Sequence, residues 1–278
     1  MIGARQPLWW GRVFGTAEGR GGNHTAVLPP GPASAPDADR AAIAAALDVP
    51  DTGFVLDDAF GTVLMRTFSP VEELAQCLQT SLAAVVALDL PEGVAHRVRH
   101  AEGEELRVYR QGPVCWARQD AGARPRLEPT PWPAFVAADP APDREPVIIR
   151  QARSRVHLGC ADADRLDVLE IGAAEVLALC AATGTNGLVL SAPLRPGVLR
   201  VRVFTTSLAG AEDAATGGAV QGVGRIEAEH GVRGDLLAIQ GPGAPERRSH
   251  LHLRLAGPDA VELGGRVLSL ARGTLEPA

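Results

Sequence analysis

Short apolar-rich runs recur along the whole chain, some alternating with polar residues as in 63–68, with turn-forming residues between them. That spacing predicts half-buried β-strands joined by turns. In the first half, residues 25–28, 53–56 and 63–68 read as strands, the last ended by Ser69-Pro70. Residues 106–109 and 114–117 continue the series. Two helical stretches interrupt it. Residues 37–47 are alanine-rich, with Asp37 or Asp39 available as cap. Residues 80–90 are apolar all round, which predicts a helix covered by protein on every side.

The second half repeats the plan. Residues 147–150, 155–159, 187–191, 199–205, 236–239, 250–255 and 265–270 read as strands, and residues 219–230 as a helix. Residues 163–169 and 173–181 fit either two helices or a helix and a strand. Between the halves, residues 119–146 carry Pro125, Pro129, Pro131, Pro133, Pro140, Pro142 and Pro146, the composition of a linker. Many strands around one apolar helix per half imply an α+β architecture, two similar lobes, each a curled mixed sheet about a central helix. The division is 1–118, completed by 266–278, and 119–265. No Gly-x-Gly-x-x-Gly follows a strand, so a dinucleotide-binding fold is not expected.

Composition narrows the chemistry. The 278 residues are 46% hydrophobic with a net charge of −6, ample for a core and opposite in sign to a nucleic-acid binder. All 27 basic residues are arginine, which excludes a Schiff-base lysine and covalently held pyridoxal phosphate. Cys77, Cys115, Cys160 and Cys180 are spaced like neither a zinc site nor a disulfide framework, so a reduced, cytoplasmic setting is expected. The first ten residues lack the apolar core of a signal peptide. No stretch approaches a membrane span.

The segment Glu212-Asp213-Ala214-Ala215-Thr216-Gly217-Gly218-Ala219 carries the clearest chemical signal. An acidic pair precedes small residues and the start of a helix. Helix starts present unpaired N–H groups at the positive end of the dipole, and small residues let an anion reach them. Asp213 would stand beside that anion as proton donor or acceptor; an ordinary capped helix with a glycine-rich entry fits the same local sequence.

Four segments resemble the PhzF family of phenazine-biosynthesis isomerases. Gly22-Asn23-His24-Thr25-Ala26-Val27 resembles its Gly-Asn-Pro-x-Ala-Val, and Asp51-Thr52-Gly53-Phe54-Val55 its Glu-Ser/Thr-x-Phe-Val. Phe68-Ser69-Pro70-Val71-Glu72-Glu73-Leu74, continuing to Cys77-Leu78-Gln79-Thr80, resembles Phe-Thr-Pro-x-x-Glu-Leu followed by Cys-Gly-His-Ala/Pro. Residues 212–219 resemble Glu-Asp-Pro-Ala-Thr-Gly-Ser-Ala. The resemblance implies the two-lobed fold of diaminopimelate epimerase, with the active cleft between lobes at the N-termini of the two central helices. It also implies a homodimer.

The departures change the expected site. The family glutamate is Asp51, shorter by one methylene, or about 1.5 Å; alternatively Pro50-Asp51-Thr52-Gly53 is simply a turn. The Gly-His pair is Leu78-Gln79, and Gln79 cannot transfer a proton. The serine is Gly218, and the proline is His24, a titratable group that could supply acid–base capacity or serve only structure. Cys77 matches one thiol of the related cysteine-dependent epimerases, while Ala214 stands at the position of the second. A two-thiol mechanism is therefore not expected, and Cys77 reads as a packing residue. Arg247-Arg248-Ser249 resembles a family Arg-Pro-Ser element, or an exposed basic loop. His250 and His252 share a strand face without a third ligand, weak evidence for metal.

Expected is a cofactor-independent, metal-free isomerase that moves a proton on a small unsaturated carboxylate metabolite, without nucleic-acid or membrane partners. Asp51, Asp213 and His24 are the candidate catalytic residues; Asn23, Cys77, Leu78, Gln79, Gly217 and Gly218 are the candidate substrate contacts. An epimerase or hydro-lyase on the same scaffold, and a catalytically inactive metabolite-binding protein, are the alternatives. A secondary-metabolite pathway with a cyclic amino-acid or alkylproline-type precursor is the expected setting, by family analogy alone.

Overall fold

The computed structural model describes residues 5–30, 37–100, 105–119, 126–136, 143–151 and 153–276. In chain order the first elements are β1 (Gln6–Gly15), β2 (Gly21–Leu28), α1 (Asp37–Leu47), β3 (Asp51–Asp57), β4 (Thr62–Phe68), β5 (Glu73–Leu74), α2 (Leu78–Ala87), β6 (His96–His100), β7 (Glu105–Gln111) and β8 (Val114–Gln119). There follow β9 (Arg126–Pro129), β10 (Val147–Arg150), β11 (Arg155–Gly159), α3 (Ala163–Val168), α4 (Ala173–Thr183), β12 (Gly187–Arg195), β13 (Val198–Thr205), α5 (Gly217–Glu229), β14 (Gly234–Gln240), β15 (Ser249–Gly257) and β16 (Ala260–Leu275). The chain divides into two compact units, Met1–Gly122 with Gly264–Ala278, and Ala123–Leu263.

In the first unit the strands run β1-β2-β3-β4-β6-β7-β8, with β5 on β4 and the far part of β16 antiparallel to β1. Two neighbour pairs are parallel, β2 with β3 and β4 with β6. Parallel neighbours need a crossover connection, and α1 and α2 supply them. The second unit repeats this: β11 pairs β12 in parallel across α3 and α4, and β13 pairs β14 across α5. Its order is β9-β10-β11-β12-β13-β14-β15-β16.

Sheet alternation decides which residues meet which helix. In the first unit α2 packs against β1, β2, β3, β7 and β8, and nine of its ten residues are buried, the polar Gln79, Thr80 and Ser81 among them. Ile43 and Ala44 of α1 join a separate cluster with Leu28, Phe54 and Phe68. In the second unit, Ile148, Val156 and Leu158 share a core cluster with Leu166 of α3 and Val176 and Cys180 of α4. The alternate residues Ile149 and His157 face Gly222 of α5.

Both ambiguous segments are helices. Asp162 Oδ1 accepts from Asp164 N and Arg165 N to cap α3, while Glu175 Oε2 accepts from Gly172 N at the head of α4, which Gly184 ends in the left-handed conformation. The proline-rich linker is partly structured: Arg126–Pro129 pairs with β10 as the outermost strand, where a proline costs no ladder bond. The rest of that stretch in 120–125 and 137–142 lies outside the described residues. β1 was not predicted because its pattern breaks at Gly11, yet a Cβ there would strike the Trp9 ring. β6 escaped as well, because two of its three buried residues are His96 and His100. Among the described residues no helix is long and apolar enough to cross a membrane.

Candidate functional site

The start of α2 is closed by its own side chains. Cys77 is the N-cap, in extended conformation, and its Sγ accepts from Thr80 N at 3.5 Å. Cys77 O takes the Ser81 hydroxyl at 2.7 Å. Burial raises the thiol far above its ordinary range, and the negative charge of Asp51 adds to that, against backbone N–H groups of Thr80 and Gln79 that favour the thiolate. The thiol is thus protonated at neutral pH and serves as a cap.

Gln79 is buried and uses both amide hydrogens on β2, donating Nε2 to His24 O at 3.0 Å and to Thr25 Oγ1. Thr25 in turn is the register partner of Asp51. Asp51, Thr25, Cys77 and Gln79 therefore come together at this helix start. Asn23, buried, lies two residues before Thr25 and so on the same strand face. Leu78 is buried and offers only its backbone. His24 lies on the other face: its exposed ring takes a hydrogen bond from Trp10 Nε1 at Nδ1, 3.2 Å. Partial burial and the Arg12 charge lower its pKa. The structure does not bring its imidazole to the Gln79 side.

The start of α5 is built differently. Thr216 is its N-cap, but the hydroxyl makes no capping bond and donates to Asp213 Oδ2 at 2.5 Å. Gln240, wholly buried at the end of β14, holds this turn: its Oε1 accepts from Thr216 N at 3.0 Å, and its Nε2 donates to Thr216 Oγ1 at 3.0 Å and Asp213 O at 3.1 Å. Thr216 O receives Ala219 N and Val220 N. Gly217 and Gly218 come before the first residues that find an intrahelical carbonyl, and the one side chain that could cap them is turned to Asp213. This helix start keeps backbone donors for an anion. A Cβ on Gly218 would stand 3.6 Å from Arg155 Nη1, an ordinary contact. Arg155 is a buried guanidinium beside this turn, and with Gln240 and Thr216 it is missing from the sequence-based candidates.

Glu212 anchors the segment. Arg202 Nε and Nη2 donate to its two carboxylate oxygens at 3.1 and 2.7 Å, and its backbone bridges Phe204. Asp213 N then donates to Val203 O at 2.8 Å, which fixes where the acidic side chain emerges. Gly241 permits the close approach of β14, since a Cβ there would stand 2.7 Å from Ala214 O.

The resemblance at Arg248 marks an anchor. Its Nη2 lies 2.9 Å from Asp167 Oδ2, and Arg200 Nε lies 2.6 Å from Oδ1. Burial alone would raise the Asp167 carboxyl, but hydrogen bonds and charge from Arg200 and Arg248 carry it below its ordinary value. The exposed-loop reading holds for Arg247 but not for Arg248. All four cysteines are buried. Among the described residues no three His, Cys, Asp or Glu side chains are grouped to hold a metal.

No protein-family model matches the chain, and no curated protein matches it significantly. Solved structures do, over nearly its whole length. A PhzF-family phenazine biosynthesis protein from Enterococcus faecalis gives a TM-score of 0.79 at 18% identity, covering 99% of this chain and 100% of its own. A predicted epimerase from Pseudomonas aeruginosa gives 0.76 at 23% identity, with 99% and 100% covered. A hydroxyproline epimerase from Agrobacterium vitis with bound trans-4-hydroxy-L-proline gives 0.63 at 11% identity, with 99% and 94% covered. What is shared at such identities is the three-dimensional plan, and the chain has the fold of the PhzF-type phenazine-biosynthesis proteins.

Proposed function

We propose that the chain is a cofactor-independent isomerase that relocates a proton, and with it a double bond, on a small unsaturated carboxylate. The observation that carries this is the Asp213–Thr216–Gln240 turn, an acid held beside a helix start whose first N–H groups stay uncapped. Those donors would hold the substrate carboxylate and the negative charge that develops on it. One carboxylate takes the proton from carbon next to a C=C or C=N bond. The electron pair spreads over the conjugated system, and a carboxylic acid returns a proton at the far carbon, so composition is unchanged. Asp51 and Asp213 are the residues proposed for these two roles. A cyclic amino-acid or alkylproline-type precursor of secondary metabolism fits the altered residues at positions 51, 78–79 and 218.

Two-thiol epimerisation is disfavoured, because Cys77 is buried and protonated and Ala214 has no thiol. The test is incubation in deuterated buffer with candidate unsaturated cyclic amino acids, followed by mass and chirality. Buffer deuterium should enter a product of unchanged formula, and Asp51→Asn and Asp213→Asn should each slow turnover at least about a hundredfold with the fold retained. Variants that bind the acid as the parent does, with no conversion by either protein, would identify a metabolite-binding protein instead.

A further inference from the structure

Two arginines of β13, Arg200 and Arg202, share the strand face from which Phe204 packs with α3 and α4. Arg202, which grips the Glu212 carboxylate, also donates Nη1 to Leu166 O at 3.0 Å and Leu169 O at 2.5 Å, in the last turn of α3. The residue before Asp213 is thus tied to that turn. Arg200 is 2% exposed. Its Nε donates to Asp167 Oδ1 in the same turn at 2.6 Å, its Nη1 to Ile239 O at 3.1 Å and to Val201 O, and its Nη2 to Gly241 O at 2.9 Å. Ile239 and Gly241 stand on either side of Gln240 in the chain. Arg248 closes the arrangement, with Nη2 2.9 Å from Asp167 Oδ2 and Nε donating to Gly243 O at 3.2 Å.

The hydrogen bonds of the Asp213–Thr216–Gln240 turn join two segments that lie 24 residues apart in the chain. Their separation has to be set from outside the turn. One arginine ties each segment to α3, so a single helical turn spaces the acid and the amide that orients it. Burying a charged pair for stability alone is a poor exchange, since packed apolar side chains join the same elements at less cost. What the guanidinium adds is reach: a planar fork can hold a carboxylate and carbonyls of two strands at once, whereas a lysine offers donors from one nitrogen only. A displacement of about 1 Å at a reacting group can cost about a hundredfold in rate.

We propose that Arg200 and Asp167 are positioning residues: from the α3 side of the sheet they clamp the backbone around Gln240, and through Gln240 they set Thr216 and Asp213. The effect of this clamp on turnover rests on the proposed isomerase reaction; its effect on Gln240 does not.

The test reads the Gln240 side-chain amide by NMR in the full chain labelled with ¹⁵N-glutamine, beside kcat and KM. The signals are assigned by their loss in Gln240→Glu. Arg200→Lys should shift both amide hydrogens and speed their exchange with solvent at least about tenfold. It should lower kcat about tenfold or more, with KM within about threefold. Asp167→Asn, at the more exposed partner of the pair, should move the same signals and slow kcat about threefold, and it decides the matter if the lysine variant does not fold. Val176→Ala, which opens a cavity in the core beneath α4, should lower the urea midpoint at least as far as Arg200→Lys and leave the Gln240 signals and kcat as in the parent. Gln240 signals unmoved in the folded clamp variants would overturn the proposal. So would signals moved equally by Val176→Ala, which would mark a general loosening. If the parent itself shows no turnover, the isomerase reading fails and the amide signals alone decide the clamp.

Discussion

Thr216 turns its hydroxyl back to Asp213 Oδ2, 2.5 Å away, instead of forward onto the helix it precedes. A threonine at a helix start ordinarily accepts from the first turn. Here Gln240 supplies Thr216 Oγ1 with a donor of its own, so the hydroxyl hydrogen is directed at the acid. One fully buried amide thereby orients the acid and leaves the helix start uncapped.

Removing that hydroxyl should separate orientation from folding. Thr216→Ser keeps the bond and should retain turnover within a few-fold. Thr216→Val should cut kcat about tenfold or more while KM moves little. Gln240→Ala removes the bonds that Gln240 makes to Thr216 N and Asp213 O and should destabilise the fold by about 2–4 kcal/mol, read from urea unfolding. Equal kcat for the serine and valine variants would refute the orienting role.

Two glycines one turn apart on α5 should respond oppositely. A Cβ at Gly218 meets nothing nearer than Arg155 Nη1 at 3.6 Å, whereas one at Gly222 meets His157 at 2.7 Å and Ile149 Cδ1 at 3.0 Å. Gly218→Ser should fold with a stability change under about 1 kcal/mol, since helix propensity favours any such residue over glycine. Gly222→Ala should lose about 1–3 kcal/mol by overpacking. Thermal melts of the pair settle it.

Cys77 should be inert. With burial and the Asp51 charge both holding it as a thiol, alkylation by iodoacetamide in the native protein at pH 7.5 should run at least about a hundredfold slower than for free cysteine. All four cysteines should react in urea. Cys77→Ser should keep isomerase turnover within about tenfold. Loss of activity on selective native-state alkylation of Cys77 would favour thiol chemistry.

Acid should weaken the fold well above the carboxylate range. Burial lowers the His100 pKa from 6.5 to about 4, and burial with the Arg155 charge lowers that of His157 to about 3. Between pH 6.5 and those values the unfolded chain binds protons that the folded chain refuses. Stability is therefore full above pH 6.5 and falls as pH drops, by about 1.4 kcal/mol per pH unit for each histidine. Urea midpoints should decline from pH 7 to 4.5, and the double variant His100→Gln, His157→Phe should flatten the slope. Midpoints unchanged between pH 7 and pH 5 would exclude these groups as the cause.

Period-two alternation and proline punctuation were enough to locate most strands, the helix of residues 37–47 and the two helix starts that carry the candidate chemistry. Local periodicity reports which side of an element is buried, and burial of an apolar stripe needs no knowledge of its partner. The strand of residues 96–100 was illegible for the same reason: its buried positions are histidines, whose burial depends on distant partners such as Thr67, 3.1 Å from His100 Nε2. Both helix starts stand out in the sequence as candidate anion sites. Folding makes them unlike, because Cys77 closes its own helix from within, while Gln240, 24 residues downstream, turns the Thr216 cap away from the other. Hydrogen bonds between residues far apart in the chain leave no periodic trace, and they set which helix keeps its donors open.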